Sequence, residues 1–297
     1  MLKRTITGLI LVLILVGTIA LRSVSLLFFD AFILLMSWGA LFELYRVFKI
    51  KGESFYWEVL IPLPALIWAS FKFTTQPFVW IFILVLTVFV ISMMIELFIS
   101  RKQESETQSE KSEGCKYLPK TLLTVEVAVY PLIVLSSFFG LNYLGFSLGA
   151  VALIMAFSVS IFTDVFAYCF GMMFGRNTKH KLAPAISPKK SMVGAVFGLI
   201  GGILCSVLGF VLFVNVGWLS AFAGIPAIKC TWLFSLLGVL GSVVTQMGDL
   251  VASAVKRSAG VKDYSHLLPG HGGIMDRVDG QMFSALLTLC LFVLMIA

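Results

Sequence analysis

Nine long apolar stretches limit most strongly what this chain can fold into. They cover, approximately, residues 6–21, 24–42, 56–71, 77–99, 122–140, 144–163, 192–214, 231–248 and 281–297. A helix needs about 20 mostly apolar residues to cross the roughly 30 Å hydrocarbon core of a bilayer. Helices and closed barrels are the structures that satisfy every backbone hydrogen bond there, and stretches of this length favour helices. The sequence therefore predicts an all-α, polytopic integral membrane helical bundle with about nine transmembrane helices.

The composition excludes the other broad classes of protein. Of the 297 residues, 59% are hydrophobic and 12% are charged, whereas soluble domains carry about 25% charged residues. These proportions argue against a soluble globule, a disordered chain and a coiled coil. The five cysteines stand singly, without metal-binding or redox spacing, so we interpret them as structural.

The distribution of lysine and arginine predicts the orientation. With the N-terminus in the cytoplasm, the basic residues concentrate in the loops on that side, and the opposite side keeps only Arg22, Lys72 and Lys229. Cytoplasmic loops of membrane proteins carry an excess of basic residues, so we expect a cytoplasmic N-terminus. We attribute the net charge of +7 to this orientation and to attraction to anionic lipid. We therefore expect no nucleic-acid partner.

A polar segment divides the chain into two parts. Residues 100–121 are rich in Ser, Glu and Lys and have almost no apolar side chain, which is typical of a mobile cytoplasmic linker. N-terminal transmembrane helices and this linker make up residues 1–121. The polar motifs gather in residues 122–297, which we expect to be the catalytic transmembrane region.

One group of polar residues extends the eighth apolar stretch. Asp249, Ser253 and Lys256 recur at i, i+4 and i+7, so a helix would place them on one face. We expect this helix to continue into the cytoplasm, to carry Arg257 next to Lys256, and to end near Gly260.

A glycine-rich turn around His271 follows and leads into the last helix. Such a turn presents backbone N–H groups to an anion at the helix N-terminus. Asp276 and Asp279 share a face of the first turns of that helix. Carboxylates at this position are also ordinary helix caps. Together with Asp249, however, they offer the hard oxygen ligands that suit Mg²⁺.

A second polar stripe interrupts the sixth apolar stretch. Ser160, Asp164 and Tyr168 follow one another at i, i+4 and i+8. Because an ionisable side chain near membrane depth is costly, Asp164 is a functional candidate. The alternative is that Asp164 caps or pairs within the bundle.

A third set stands immediately before the seventh apolar stretch. Ser187, Lys189 and Lys190 are placed there to contact phosphate, although lysines at a cytoplasmic helix end also serve as interfacial anchors. The spacing of Gly194 and Gly198 favours close helix packing in the stretch that follows.

The segment SAVKRSAGVKDYSHLLPGHGGIMDRVDG, residues 253–280, resembles the signature of phosphatidate cytidylyltransferases, also called CDP-diacylglycerol synthases. Its KR, KD, PGHGG and DRVD elements stand at the spacing of that family. The segment from Asp164 to Tyr168, the following FGR and the SPKKS sequence also resemble family positions. The first half of the chain resembles the family only in being hydrophobic.

The resemblance implies transfer of CMP from CTP to phosphatidate, giving CDP-diacylglycerol and pyrophosphate in phospholipid biosynthesis. It implies Mg²⁺ as cofactor and leaves open a second cation, monovalent or divalent. CTP, phosphatidate, membrane lipid and a second copy of the chain, in a homodimer, are the implied partners. We expect an integral protein of the bacterial inner membrane whose active site faces the cytoplasm.

The resemblance also assigns roles to the polar residues. Those expected to act in catalysis are Asp249, Lys256, Arg257, Asp276 and Arg277. Those expected to contact substrate are Asp164, Tyr168, Ser187, Lys189, Lys190, Lys262, Asp263 and His271. The expected metal ligands are Asp249, Asp276 and Asp279.

Two other functions fit parts of the pattern. A CTP-dependent prenol kinase would use a similar site, but would need a base for a hydroxyl group and would transfer the γ-phosphoryl group. A transporter of a phosphorylated solute would use Asp164 and the basic loops to line a pathway. Transporters are commonly built from paired repeats, and we find no such repeat in the sequence.

Overall fold

The computed structural model describes residues 2–52, 55–106, 118–175, 181–183, 186–268 and 272–296. Helices dominate these residues: α1 (Leu2–Leu21), α2 (Leu26–Lys51), α3 (Trp57–Leu60), α4 (Leu63–Phe73), α5 (Pro77–Glu106), α6 (Leu118–Val127), α7 (Val134–Asn142), α8 (Phe146–Phe174), α9 (Met192–Phe210), α10 (Ala227–Ser258) and α11 (Met275–Ile296). The strands are β1 (Lys181–Ala183) and β2 (Ser187–Ser191). The π-helical segment Ala128–Ile133 joins α6 to α7, the π-helical segment Val211–Asn215 extends α9, and Trp218–Ser220 form a 3₁₀ turn.

The all-α, polytopic membrane fold is confirmed. Among the described residues, six helices are long and apolar enough to cross a membrane: Leu26–Lys51, Lys120–Asn142, Phe146–Phe174, Met192–Asn215, Ala227–Ser258 and Met275–Ile296. Two shorter apolar helices lie at Thr7–Leu21 and Pro77–Ser92. The count of nine spans and the cytoplasmic N-terminus stay predictions.

The third predicted span, residues 56–71, is divided in the structure. Pro62 separates α3 from α4, because proline has no N–H to donate to the preceding turn. The carbonyl of Ile61 at this break accepts a hydrogen bond from Trp38 Nε1 at 2.9 Å. The 11 residues of α4 give a length of about 16 Å at 1.5 Å per residue, which is short of a full span.

The described helices group into two compact units. One unit comprises residues 1–33 and 137–297, and the other comprises residues 34–136. In the first unit α8 packs against α9, α9 against α10, α10 against α11, and α11 against α8. The division that we predict at residue 121 is based on where polar motifs gather in the sequence. It stays a prediction. Most of the predicted linker, residues 107–117, lies outside the described residues.

A buried arginine joins the start of α2 to the start of α8. Arg22 is 2% exposed, and it donates from Nε to Asn142 Oδ1 at 2.7 Å and from Nη2 to the Gly145 carbonyl at 2.7 Å. Burial lowers the pKa of Arg22 and the Asp30 carboxylate opposes this shift. Because its donors are occupied by protein acceptors, we interpret Arg22 as a structural residue.

Glycines allow α8 and α9 to approach closely. A Cβ atom on Gly194 would lie 2.9 Å from the Ala167 carbonyl oxygen, and one on Gly198 would lie 3.1 Å from the Thr163 carbonyl oxygen. The helix-packing role predicted for Gly194 and Gly198 is therefore confirmed.

The same arrangement joins α10 to α11. A Cβ atom on Gly248 would lie 2.7 Å from the Asp279 carbonyl oxygen, and one on Gly280 would lie 2.9 Å from Thr245 Cγ2. Because Gly248 precedes Asp249 and Gly280 follows Asp279, this contact brings two candidate site residues together.

Substituting Gly248 by alanine should therefore separate α10 from α11. We expect a loss of about 1–3 kcal/mol, the usual cost of overpacking a close contact, seen as a lower melting temperature of the purified protein in detergent. The matched control is Gly17→Ala, which should not lower the melting temperature. A Cβ atom there meets nothing within 4 Å, and alanine favours helix over glycine by about 1 kcal/mol. Equal melting temperatures for Gly248→Ala and the unsubstituted protein would contradict this packing.

Candidate active site

The stripe predicted on the sixth apolar stretch lies on one helix. α8 continues to Phe174, so Ser160, Asp164 and Tyr168 follow one face of it, as expected. Ser160 is fully buried, whereas Tyr168 is 66% exposed, and Asp164 between them is exposed. The stripe therefore leads from the bundle interior to its surface.

A short β-hairpin stands where a loop was expected. Strands β1 and β2 pair in antiparallel fashion, with Lys181 opposite Ser191. Ser191 then caps α9 by accepting a hydrogen bond from Gly194 N at 3.1 Å. Lys190, on β2, forms an ion pair with Asp249 Oδ2, and both side chains remain partly exposed. The hairpin therefore directs one of the predicted lysines at α10.

The other two residues predicted in this segment are less informative. Ser187 begins β2 and is half-buried. Lys189 is also part of β2, but its side chain lies outside what the structure describes, so its contact with phosphate stays a prediction.

Electrostatic interactions link Asp164, Asp249 and Asp279, three aspartates on three helices that we call the carboxylate cluster. Asp249 lies close enough to both Asp164 and Asp279 for electrostatic repulsion, and Asp164 and Asp279 repel each other as well. The close contact of α10 with α11 at Gly248 positions two of them.

Fixed positive charges surround the carboxylate cluster. Lys190 and Arg277 attract Asp164, and Lys256 attracts Asp279. The side chain of Arg277 is exposed on the first turn of α11. Carboxylates held near basic groups at a partly open surface can bind a cation and the phosphates attached to it.

Asp276 lies in a different environment from the carboxylate cluster. Its Oδ1 accepts a hydrogen bond from Lys256 Nζ at 2.7 Å, and its Oδ2 accepts from the backbone N–H groups of Tyr264 at 3.0 Å and Gly273 at 2.9 Å. The bond from Gly273 N is a helix-capping contact. Asp276 is thus held by three protein donors, whereas Asp249 and Asp279 interact with each other.

The remaining predicted residues lie around the end of α10. Arg257 donates from Nη1 to the Val261 carbonyl at 3.1 Å and from Nε to the Ile186 carbonyl at 3.4 Å, which joins α10 to the hairpin. Lys262 and Asp263 are exposed beyond α10. His271 lies outside the described residues, so its role stays a prediction.

Sequence reasoning did not single out Tyr264. Its side chain is 3% exposed, its hydroxyl donates to the Ala252 carbonyl at 3.2 Å, and Lys256 Nζ lies 5.3 Å from the centre of its ring. Its position inside the charged segment was the one available signal, because a buried aromatic residue in an apolar chain is otherwise ordinary.

The donor chemistry of the carboxylate cluster fits Mg²⁺, because all its ligand atoms would be hard oxygens. Two further oxygens lie on α8 within about one turn of Asp164: the hydroxyls of Ser160 and Thr163 are buried and have no hydrogen-bond partner among the described residues. Within the same residues, no three Asp, Glu, His or Cys side chains are grouped as a ready-made metal site. Lys190 holds one oxygen of Asp249, so this ammonium already supplies part of the positive charge that the cluster requires.

Fold and site together define a polytopic membrane protein in which acidic side chains of α8, α10 and α11 interact with basic side chains of the hairpin, α10 and α11. The model of the cytidylyltransferase family matches residues 2–295. The chain therefore belongs to the cytidylyltransferase family.

Curated relatives share a substantial part of this sequence. A phosphatidate cytidylyltransferase of Mycobacterium bovis is 43% identical over 125 residues, which are 42% of this chain and 36% of the relative. One of Staphylococcus saprophyticus is 42% identical over 132 residues, 44% of this chain and 45% of the relative. The chloroplastic phosphatidate cytidylyltransferase 4 of Arabidopsis thaliana is 40% identical over 142 residues, 48% of this chain and 32% of the relative. The matched stretch covers less than half of each relative.

Proposed function

We propose that this protein is a nucleotidyltransferase that transfers CMP from CTP to phosphatidate. The carboxylate cluster of Asp164, Asp249 and Asp279, with Lys190 and Arg277 beside it, is the observation that carries the proposal. The family and the names of the relatives support the choice of substrates.

In the proposed reaction a phosphate oxygen of phosphatidate forms a bond to the α-phosphorus of CTP. The bond from that phosphorus to the oxygen bridging to the β-phosphate breaks, and pyrophosphate leaves with the electron pair. A phosphate monoester has a second pKa near 6, so the attacking group is largely a dianion at neutral pH and needs no general base. The main obstacle is repulsion between two anionic substrates, which positioning and positive charge overcome.

Mg²⁺ is the proposed cofactor, and the carboxylate cluster is its proposed site. When bound, the ion would neutralise phosphate charge and polarise the phosphoryl oxygens. Ser160 and Thr163 offer hydroxyl oxygens for a second cation next to Asp164.

The basic residues of this chain are proposed to hold the substrate phosphates. Lys190 and Arg277 flank the carboxylate cluster directly. Lys262 and His271 are assigned to phosphate contact by the resemblance, and Lys189 is assigned by its position before α9 as well as by the resemblance. These groups would hold the two substrates with the reacting oxygen and phosphorus aligned, while the exposed face of Asp164 and Tyr168 leaves the site open to a lipid headgroup.

The charge distribution supports the orientation of the site, and the bacterial relatives support the choice of membrane. We propose an integral protein of the bacterial inner membrane whose site faces the cytoplasm, where CTP is made, and whose lipid substrate enters from the bilayer. A homodimer is proposed from the family resemblance.

The test is a reaction of the purified protein with phosphatidate, Mg²⁺ and CTP labelled at the α-phosphate. We expect labelled CDP-diacylglycerol and an equal amount of pyrophosphate. A parallel reaction with CTP labelled at the γ-phosphate and a long-chain prenol tests the kinase alternative. Label in the prenol product, with none in CDP-diacylglycerol, would contradict the proposal.

The proposed orientation predicts which loops an impermeant thiol reagent reaches. In a variant without native cysteines, Val24→Cys should be labelled in intact cells, and His266→Cys only after the membrane is permeabilised. Both positions are exposed, so each can react once the reagent arrives. Labelling of His266→Cys in intact cells would place the site on the opposite side of the membrane.

A further inference from the structure

One buried ion pair of the signature segment lies beside the carboxylate cluster, since its lysine also attracts Asp279. Lys256 Nζ lies 2.7 Å from Asp276 Oδ1, and their side chains are 11% and 5% exposed. Both oxygens of Asp276 accept hydrogen bonds from protein donors, whereas Lys190 holds only one oxygen of the partly exposed Asp249, so Asp276 has less capacity left to bind a divalent ion. The hydrogen bonds of this pair indicate a role other than binding a metal ion.

The hydrogen bonds of Asp276 show what the pair holds. Its three donors come from the end of α10 (Lys256), from the middle of the following loop (Tyr264 N) and from the end of that loop (Gly273 N). A single carboxylate thus accepts hydrogen bonds from the last turn of α10 and from two points of the segment between α10 and α11. Removing it would release all three at once.

Other contacts fold the loop onto the same pair. The Tyr264 hydroxyl donates to the Ala252 carbonyl at 3.2 Å, and Leu268 N donates to the Gly272 carbonyl at 2.9 Å. Gly272 has a φ of +80°, and a Cβ atom there would lie 2.8 Å from Asp276 Oδ2. Glycine is therefore required at this point both for the backbone conformation and for the approach of the carboxylate.

We propose that Lys256 and Asp276 form a clasp that fixes the described parts of the loop after α10, residues 259–268 and 272–274, and that Asp276 is a positioning residue rather than a metal ligand. The inference rests on the proposed function, because this loop carries Lys262 and Asp263, two residues assigned to substrate contact. The clasp holds the backbone from which these exposed side chains extend.

The first test separates positioning from metal binding. Asp276→Asn keeps the size of the side chain and removes its charge. We expect its KM for CTP to rise about 10–100-fold, the usual range for residues that orient a site, with a smaller change in kcat. The Mg²⁺ concentration for half-maximal rate should stay within about twofold of the unsubstituted protein, whereas Asp249→Asn in the same assay should raise it at least about tenfold. A rise for Asp276→Asn that matches Asp249→Asn would overturn the clasp.

The second test uses the pairing of the two charges. Loss of one partner leaves the other charge buried and unpaired, whereas loss of both does not. The double variant Lys256→Met with Asp276→Asn should therefore be at least about tenfold more active than the product of the two single losses predicts. Losses that simply multiply would show that the two residues act independently and would overturn the clasp.

A third measurement does not depend on activity or on the stability of one variant. Hydrogen exchange of the peptide covering residues 261–268 should be faster in Asp276→Asn than in the unsubstituted protein, because the amide of Tyr264 loses part of its acceptor. Unchanged exchange there would contradict the clasp. If the unsubstituted protein makes no CDP-diacylglycerol, the proposed function fails, and hydrogen exchange still decides whether the clasp exists.

Discussion

Asp249→Asn should reduce CMP transfer at least about 1,000-fold, because a catalytic metal supplies several kcal/mol of charge stabilisation and each 1.4 kcal/mol is about tenfold in rate. Asp249 is central to this expectation: it repels both other members of the carboxylate cluster and pairs with Lys190. Asparagine keeps the shape of the side chain, so the fold should survive. Steady-state rates of CDP-diacylglycerol formation, normalised to folded protein, provide the measurement.

The control for Asp249→Asn is Glu58→Gln, which removes one negative charge from an exposed side chain on α3. We expect its rate to stay within about twofold of the unsubstituted protein, as for most surface substitutions. If Asp249→Asn instead lowers only the melting temperature and leaves turnover per folded molecule unchanged, Asp249 is a structural residue.

Lys190→Gln should have the second-largest effect, a loss of about 10–100-fold in kcat/KM. The ammonium of Lys190 pairs with Asp249 and also attracts Asp164, so its removal leaves the carboxylate cluster with less positive charge nearby. Raised ionic strength should weaken the remaining attraction of the site for CTP, since exposed charges are screened over about 10 Å at 0.1 M salt.

The matched control for Lys190→Gln lies on the same hairpin. Lys181 is on β1, opposite Ser191, and no role in the site is assigned to it. Lys181→Gln should therefore change kcat/KM less than about twofold. Equal losses of kcat/KM in the two variants would mean that the hairpin acts only through its total positive charge. Lys190 would then make no specific contact in the site.

Local spacing predicted the elements that carry the site. The i, i+4, i+7 pattern from Asp249 to Lys256 indicated a helix that continues past the apolar stretch, and α10 ends at Ser258. The glycine-rich turn indicated a new helix, and α11 begins at Met275. Such patterns are local, because they depend on which face of one helix a side chain occupies.

Contacts between distant elements could not be predicted in the same way. Asp164 lies on α8, and it approaches Asp249 through the packing of α8 against α10, where a Cβ atom on Gly241 would lie 3.0 Å from Val159 Cγ1. No spacing within one segment specifies which inward-facing carboxylates will meet. Local pattern likewise cannot distinguish a metal ligand from a capping carboxylate, so Asp276 and Asp279 looked equivalent until their partners were known.

Two local features also escaped sequence analysis. Hydropathy treated residues 56–71 as one apolar stretch, although Pro62 interrupts the helix. The hairpin of β1 and β2 is too short to leave an alternating pattern. Both features depend on backbone hydrogen bonding. The mean hydropathy of a stretch contains no information about these bonds.

If Asp164 acts together with Asp249 and Asp279 as one cation site, Asp164→Asn should change the Mg²⁺ dependence of the reaction. The substitution keeps the side-chain volume, and α8 holds it in place by its contacts with α9 and α11. We predict that the Mg²⁺ concentration for half-maximal CDP-diacylglycerol formation rises at least about tenfold, as for loss of an oxygen ligand or its direct neighbour. An unchanged Mg²⁺ requirement, together with a raised KM for either substrate, would contradict a cation site shared by the three aspartates and would assign Asp164 to substrate binding alone.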